Sequence, residues 1–86
     1  MAAGPQTPLE LVRQVIGEYS DAPPEAVTLA ASLDELQIDS LTLAEMLFSL
    51  EDHLGVTMPE DLERPATVGD LVRVVEPYWE RLQAGS

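Results

Sequence analysis

The stretch from Ser40 to Gly55 reads SLTLAEMLFSLEDHLG and carries the clearest helix signal in the chain. Gly55 stands at the position where a left-handed residue often ends a helix. We therefore predict a helix that starts at Ser40 or one residue earlier and ends before Gly55. One face follows the i, i+4, i+7, i+11 spacing of an apolar stripe, with Leu43, Leu47, Leu50 and Leu54. The outer face is predicted to carry Thr42, Glu45, Met46, Ser49 and Asp52.

Another helix is predicted near the N-terminus. Thr7 can cap it, Pro8 suits its first position, and Glu10 completes a capping box. We expect this helix to run from about Pro8 to about Ser20. The apolar residues within it keep helical spacing, at Leu9, Val12, Val15, Ile16 and Tyr19.

A further helix is predicted to follow Thr67, which can cap it with Asp70 three residues on. Pro77 lacks the backbone donor that a helix interior needs, so we expect it to end or kink this helix near Glu76. The apolar stripe of the helix contains Val68, Leu71, Val72 and Val75, and a further turn can follow at Tyr78, Trp79 and Leu82.

A long loop, residues 20–37, separates the first two helices, and loops of this length in compact domains are usually anchored or functional. The expected anchors are Val27, Leu29, Leu33, Leu36 and Ile38. Short helical turns are expected near Pro24–Ala26 and Asp34–Leu36, and a short helix at Pro59–Leu62. Together these elements predict an all-α four-helix bundle with three main helices, one short helix and a long first loop. We expect a single domain, residues 1–86, with flexible tails at about 1–6 and 83–86.

Charge and composition restrict the possible functions. The chain has 16 acidic residues, four arginines, no lysine and a formal net charge of −12. Such a surface repels nucleic acid and anionic membranes and complements basic protein surfaces. There is no cysteine, so any thiol chemistry needs a sulfur from outside the chain. We see no secretory signal or membrane span and expect a cytoplasmic monomer, and arginine without lysine indicates a GC-rich bacterial source.

Ser40 is the candidate functional residue. Unpaired N–H groups and the helix dipole favour an anion at a helix start, so a phosphate ester on the Ser40 hydroxyl would be well placed. The alternative is that Ser40 is a plain helix N-cap. We do not expect an enzyme, because His53 lies about 20 Å along the same predicted helix and cannot form a triad with Ser40.

The segment Asp39-Ser40-Leu41 resembles the motif that opens the second helix of acyl carrier proteins. Three further features resemble the same family: the helix ending from Leu47 to Val56, the Met58-Pro59 step, and the start of the last helix from Thr67 to Val72. The resemblance extends from about Leu9 to Val75. It implies that Ser40 carries a 4′-phosphopantetheine arm, installed from coenzyme A by a phosphopantetheinyl transferase. The arm's thiol would then hold acyl intermediates as thioesters.

The resemblance also implies a partner-binding surface, made of the acidic residues Asp39, Glu45, Glu51 and Asp52 and the apolar residues Leu41 and Met46. The implied partners are basic surfaces of acyltransferase, ketosynthase or ligase enzymes in fatty-acid, polyketide or related biosynthesis. Gln37 stands where many members have glycine, and Thr42 where many have an acid. These departures favour a specialised carrier with its own partner set.

Two alternatives remain open from the sequence. A peptidyl or aminoacyl carrier of the nonribosomal peptide type would share the fold and load amino acids. An unmodified acidic helical module would bind a basic partner and use Ser40 only as a helix cap.

Overall fold

The computed structural model describes residues 5–57 and 64–84, and within this part it is all-helical, as predicted. Helix α1 spans Pro8–Tyr19, α2 spans Ser40–Leu54 and α3 spans Val68–Ala84. A 3₁₀ turn at Pro24–Ala26 forms where a short helical turn was expected. The short helix predicted at Pro59–Leu62 lies outside the described residues. No helix in the described ranges has the length and apolar character that crossing a bilayer requires.

The N-termini of α1 and α3 are capped by nearby side chains. The Thr7 hydroxyl accepts a hydrogen bond from the Glu10 N–H at 3.1 Å, and the Glu10 carboxylate accepts one from Gln6 rather than from Thr7. At α3 the capping box is complete, since Thr67 Oγ1 accepts from the Asp70 N–H at 3.1 Å and Asp70 Oδ2 accepts from the Thr67 N–H at 3.2 Å. These contacts explain why both helices begin where the sequence predicted.

Helix α2 ends as predicted at Gly55, which adopts a left-handed conformation with φ of 66°. The N–H groups of Gly55 and Val56 both donate to the Glu51 carbonyl, at 2.8 and 3.2 Å. Val56 is partly buried against the core. The Glu51 carbonyl thus accepts both donors, and the left-handed Gly55 turns the chain away from α2.

The three helices enclose one core, to which the long first loop contributes several side chains. The predicted anchors Val27, Leu33, Leu36 and Ile38 are all buried. The prediction was wrong for Leu29, whose side chain is 53% exposed. Leu29 anchors the loop through its main chain instead, because its carbonyl accepts the Gly69 N–H at 3.0 Å. The core also contains Leu11, Val12, Val15, Ile16, Ala31, Leu43, Met46, Leu50, Leu54, Val68, Leu71 and Val75.

Helix α3 does not end near Glu76 but continues through Pro77 to Ala84. Proline removes one intrahelical hydrogen bond, but it does not prevent the helix from continuing when packing favours it. Here Tyr78 and Trp79 lie partly buried against the core, one turn beyond Val75. Continuing the helix keeps both aromatic side chains on the buried stripe.

Candidate functional site

Ser40 is the first residue of α2, and the residue before it caps the helix. Asp39 has extended backbone angles, and its Oδ1 accepts a hydrogen bond from the Thr42 N–H at 2.8 Å. This bond to the Thr42 backbone holds the pKa of the Asp39 carboxyl below its usual value, so the carboxylate stays ionised. The interpretation of Ser40 as a plain N-cap was therefore wrong, because Asp39 fills that role.

The Ser40 side chain is exposed to solvent. Its hydroxyl makes no hydrogen bond with any atom of residues 5–57 or 64–84. Since the cap does not need this oxygen, it is accessible to a reagent from outside. An exposed hydroxyl at the positive end of a helix can carry an anionic ester without burying charge.

The last turn of the long loop sets the position of Ser40. The Ile38 N–H donates to the Leu33 carbonyl at 2.9 Å, and the Ile38 side chain is buried in the core. Gln37 precedes it with φ of 63°, a left-handed conformation that suits glycine better than glutamine. Gln37 is the only residue other than glycine with such a φ in the part of the chain described. The fold thus accepts backbone strain two residues before Asp39.

A mainly apolar cavity of about 230 Å³ opens beside Ser40, between α2 and α3. Ser40 lies on its wall, so a group attached to the hydroxyl can lie along the cavity. The other lining residues are Leu43, Ala44, Leu47, Arg64, Pro65 and Val74.

The outward face of α2 differs from the prediction at one residue. Met46 is completely buried and cannot contact a partner, so its assignment to the partner-binding surface was wrong. It lies three residues after Leu43 and four before Leu50, which places it on the apolar stripe. Glu45 and Asp52 are exposed, Glu51 is half-buried, and Leu41 is 71% exposed.

Phe48 is the residue that the sequence reasoning missed. Its side chain is 69% exposed, which is unusual for a phenylalanine in a small domain. Phe48 follows Leu41 by seven residues, or two helical turns, so the two side chains lie on the same face of α2. That seven-residue spacing was visible in the sequence and could have identified Phe48.

Comparison with known proteins gives one consistent result. A family profile described as "Phosphopantetheine attachment site" matches residues 10–75. The chain is 41% identical over 78 residues to an acyl carrier protein of Phenylobacterium zucineum, covering 88% of this chain and 95% of the relative. It is 38% identical over 82 residues to a meromycolate extension acyl carrier protein of Mycolicibacterium aurum, covering 93% and 84%. The matched regions include Ser40 and the residues that line its cavity.

Proposed function

The chain belongs to the acyl carrier protein family, as its motifs predicted, and we propose that it carries acyl groups as thioesters on an arm attached to Ser40. Members of this family are carriers rather than enzymes, and they bear covalent 4′-phosphopantetheine. The observation that carries the proposal for Ser40 is its exposed hydroxyl, which the capping by Asp39 leaves unused.

The residues around Ser40 fit a phosphodiester. Ser40 supplies the oxygen, the helix start tolerates the negative charge, and the adjacent cavity has room for a flexible chain. When bound, the arm supplies the thiol that this cysteine-free chain lacks. The transferase reaction would form a bond from Ser40 Oγ to the phosphorus that bears pantetheine in coenzyme A. The P–O–P link breaks, adenosine 3′,5′-bisphosphate leaves, and the hydroxyl proton passes to a base of the transferase.

The exposed side of α2 is the proposed docking face for partner enzymes, and we define it by Leu41, Glu45, Phe48 and Asp52. Its two apolar side chains are exposed, and acidic residues flank them. Exposed apolar anchors surrounded by charge are typical of transient protein interfaces. The charges would steer basic enzyme surfaces toward Ser40, with an effect on encounter rate that salt weakens.

An acyl cargo is supported over an aminoacyl one by the names of the relatives, which are acyl carriers of general and meromycolate-extension type. We propose that the partners are acyltransferase, ketosynthase or ligase enzymes of fatty-acid, polyketide or related biosynthesis. The half-buried Thr42, where many members have an acid, removes one negative charge from the first turn of α2. This difference favours a partner set distinct from that of the general carriers.

The absence of cysteine makes a direct test possible. The chain should show no reactive thiol before loading and one thiol per molecule after treatment with coenzyme A, magnesium and a promiscuous transferase, once small molecules are removed. Each thiol would then accept one acyl group from a suitable acyl-coenzyme A ligase or transferase. A chain that gains no thiol, while a control carrier in the same mixture gains one, would overturn the proposal.

A further inference from the structure

Among the described residues on the wall of the cavity that contains Ser40, Arg64 is the one with a basic side chain. It is exposed, and it forms no ion pair within 4 Å with a carboxylate among the described residues. The other three arginines have contacts elsewhere. Arg13 donates to the Val27 carbonyl, Arg73 lies 3.8 Å from Asp70, and Arg81 lies over the Tyr78 ring. Arg64 is therefore a cation beside Ser40 without a fixed partner in the described structure.

The charged residues near Ser40 in the sequence are acidic, so a phosphodiester there would be stabilised by a nearby cation. The chain carries a net charge of −12, and no lysine or arginine occurs between Gln14 and Glu63. The Asp39 carboxylate adjoins Ser40, and the Thr42 N–H is already used by that carboxylate. A phosphodiester on Ser40 would add a second negative charge next to the first, and like charges at this range repel.

Building on the proposed function, we propose that Arg64 is a positioning residue that binds the phosphodiester attached to Ser40 and directs the start of the arm along the cavity. The phosphodiester is the part of the arm bonded directly to Ser40, and Ser40 and Arg64 line the same cavity. A planar guanidinium can donate two parallel hydrogen bonds to phosphate oxygens, which fixes direction as well as charge.

Among the described residues, Asp34 is the carboxylate that shares a cavity with Arg64. Asp34 and Arg64 both line a neighbouring cavity of about 270 Å³, together with Leu33, Pro65 and Ala66. The two side chains do not form an ion pair. Arg64 thus lines both cavities, and a phosphodiester at Ser40 would draw it toward the cavity that contains Ser40.

The test uses nuclear magnetic resonance of the intact chain before and after loading with phosphopantetheine. We expect the Arg64 Nε–Hε resonance of the wild type to shift on loading and to return toward its unloaded position as salt is raised. The ³¹P resonance of the loaded chain should shift in Arg64→Gln and lose its salt dependence. Arg64→Lys should retain part of that dependence, and Arg81→Gln, which removes a distant arginine, should match the wild type.

Each outcome has a defined meaning. A wild-type chain that loads normally while the Arg64 Nε–Hε resonance stays unchanged would overturn the role of Arg64 and leave the proposed function intact. A ³¹P signal that is identical in wild type and Arg64→Gln would also overturn the role of Arg64 and leave the proposed function intact. A wild-type chain that cannot be loaded at all would overturn both proposals. The wild-type comparison requires no variant to fold or to be recognised by the transferase.

Discussion

Asp39 Oδ1 accepts a hydrogen bond from the Thr42 N–H at 2.8 Å, and this bond caps α2 one residue before Ser40. The capping residue and the proposed attachment residue are thus adjacent in the chain. Because the cap does not involve the Ser40 hydroxyl, a modification there costs the helix no hydrogen bond.

Substitutions at the two positions should therefore differ in their effect on stability. Asp39→Ala removes the cap, and we expect the melting temperature to fall by roughly 4–8 °C. Ser40→Ala removes no described contact, so its melting temperature should stay within about 2 °C of wild type. Thermal unfolding of the unloaded proteins by circular dichroism measures both. An equal loss in the two variants would show that Ser40 shares the capping role.

The Asp39 cap also predicts a pH dependence. The pKa of this carboxyl is lower in the folded chain than its ordinary value of 3.8, because it accepts the Thr42 N–H. The cap's contribution is therefore complete above that value and is lost as the pH falls through the lowered pKa. Asp39→Asn keeps an acceptor oxygen but does not titrate.

Denaturant unfolding at a series of pH values measures this effect as the difference in free energy of unfolding between wild type and Asp39→Asn. We expect the difference to be constant near neutral pH and to move against the wild type as the pH falls below 3.8. Asp70→Asn should show the same trend, because hydrogen bonds from the Ala66 and Thr67 N–H groups lower the pKa of Asp70. Differences that stay flat across this pH range would contradict the assignment.

Met46 and Phe48 are predicted to have opposite roles. Met46 is fully buried, so Met46→Ala should lower the free energy of unfolding by about 2–5 kcal/mol. Phe48 is 69% exposed, so Phe48→Ala should change it by less than about 0.5 kcal/mol. If Phe48 is part of the docking face, Phe48→Ala should instead slow acyl transfer to a partner enzyme.

Transfer kinetics of the loaded proteins test the docking face directly. Glu45→Lys should also slow transfer, most strongly at low salt, because it reverses a charge that steers the encounter. Glu18→Lys, an exposed position on α1, serves as the matched charge control and should have little effect. Unchanged transfer in both Phe48→Ala and Glu45→Lys would remove α2 as the docking face.

Opposite substitutions at Gln37 and Gly55 test how much the left-handed backbone conformation affects stability. Both adopt left-handed angles, with φ of 63° and 66°. Gln37→Gly should raise the free energy of unfolding by about 0.5–1 kcal/mol, because relief of strain exceeds the entropy that glycine loses on folding. Gly55→Ala should lower it by about 1 kcal/mol through the backbone alone, since an added Cβ meets no atom of the described residues within 4 Å. Chemical denaturation decides both, and a loss of stability in Gln37→Gly would show that the glutamine side chain stabilises the turn.

The sequence predicted those features that depend on local chemistry. The caps at Thr7 and Thr67, the start of α2 and the left-handed Gly55 all follow from residues close to one another in the chain. Features that depend on tertiary packing were less predictable. Pro77 stays helical because Tyr78 and Trp79 pack against the core. Leu29 contacts α3 through its carbonyl, while its side chain is exposed.

In the candidate site too, the features set by neighbouring residues were predictable and those set by tertiary structure were not. Ser40 could be singled out from its neighbours Asp39 and Leu41, but the role of Asp39 as the cap depends on backbone angles that the sequence leaves open. Arg64 lies 24 positions beyond Ser40 in the chain, and the tertiary fold brings both to one cavity.

The central claim is that the Ser40 hydroxyl is the single attachment point of the arm. Intact-mass spectrometry after incubation with coenzyme A, magnesium and a phosphopantetheinyl transferase tests it most directly. Ser49→Ala serves as the control, because it removes another serine hydroxyl from the same helix. We predict that wild type and Ser49→Ala each gain one phosphopantetheinyl group and that Ser40→Ala gains none. Loading of a folded Ser40→Ala chain, or a wild type that remains unmodified beside a loaded control carrier, would contradict the account.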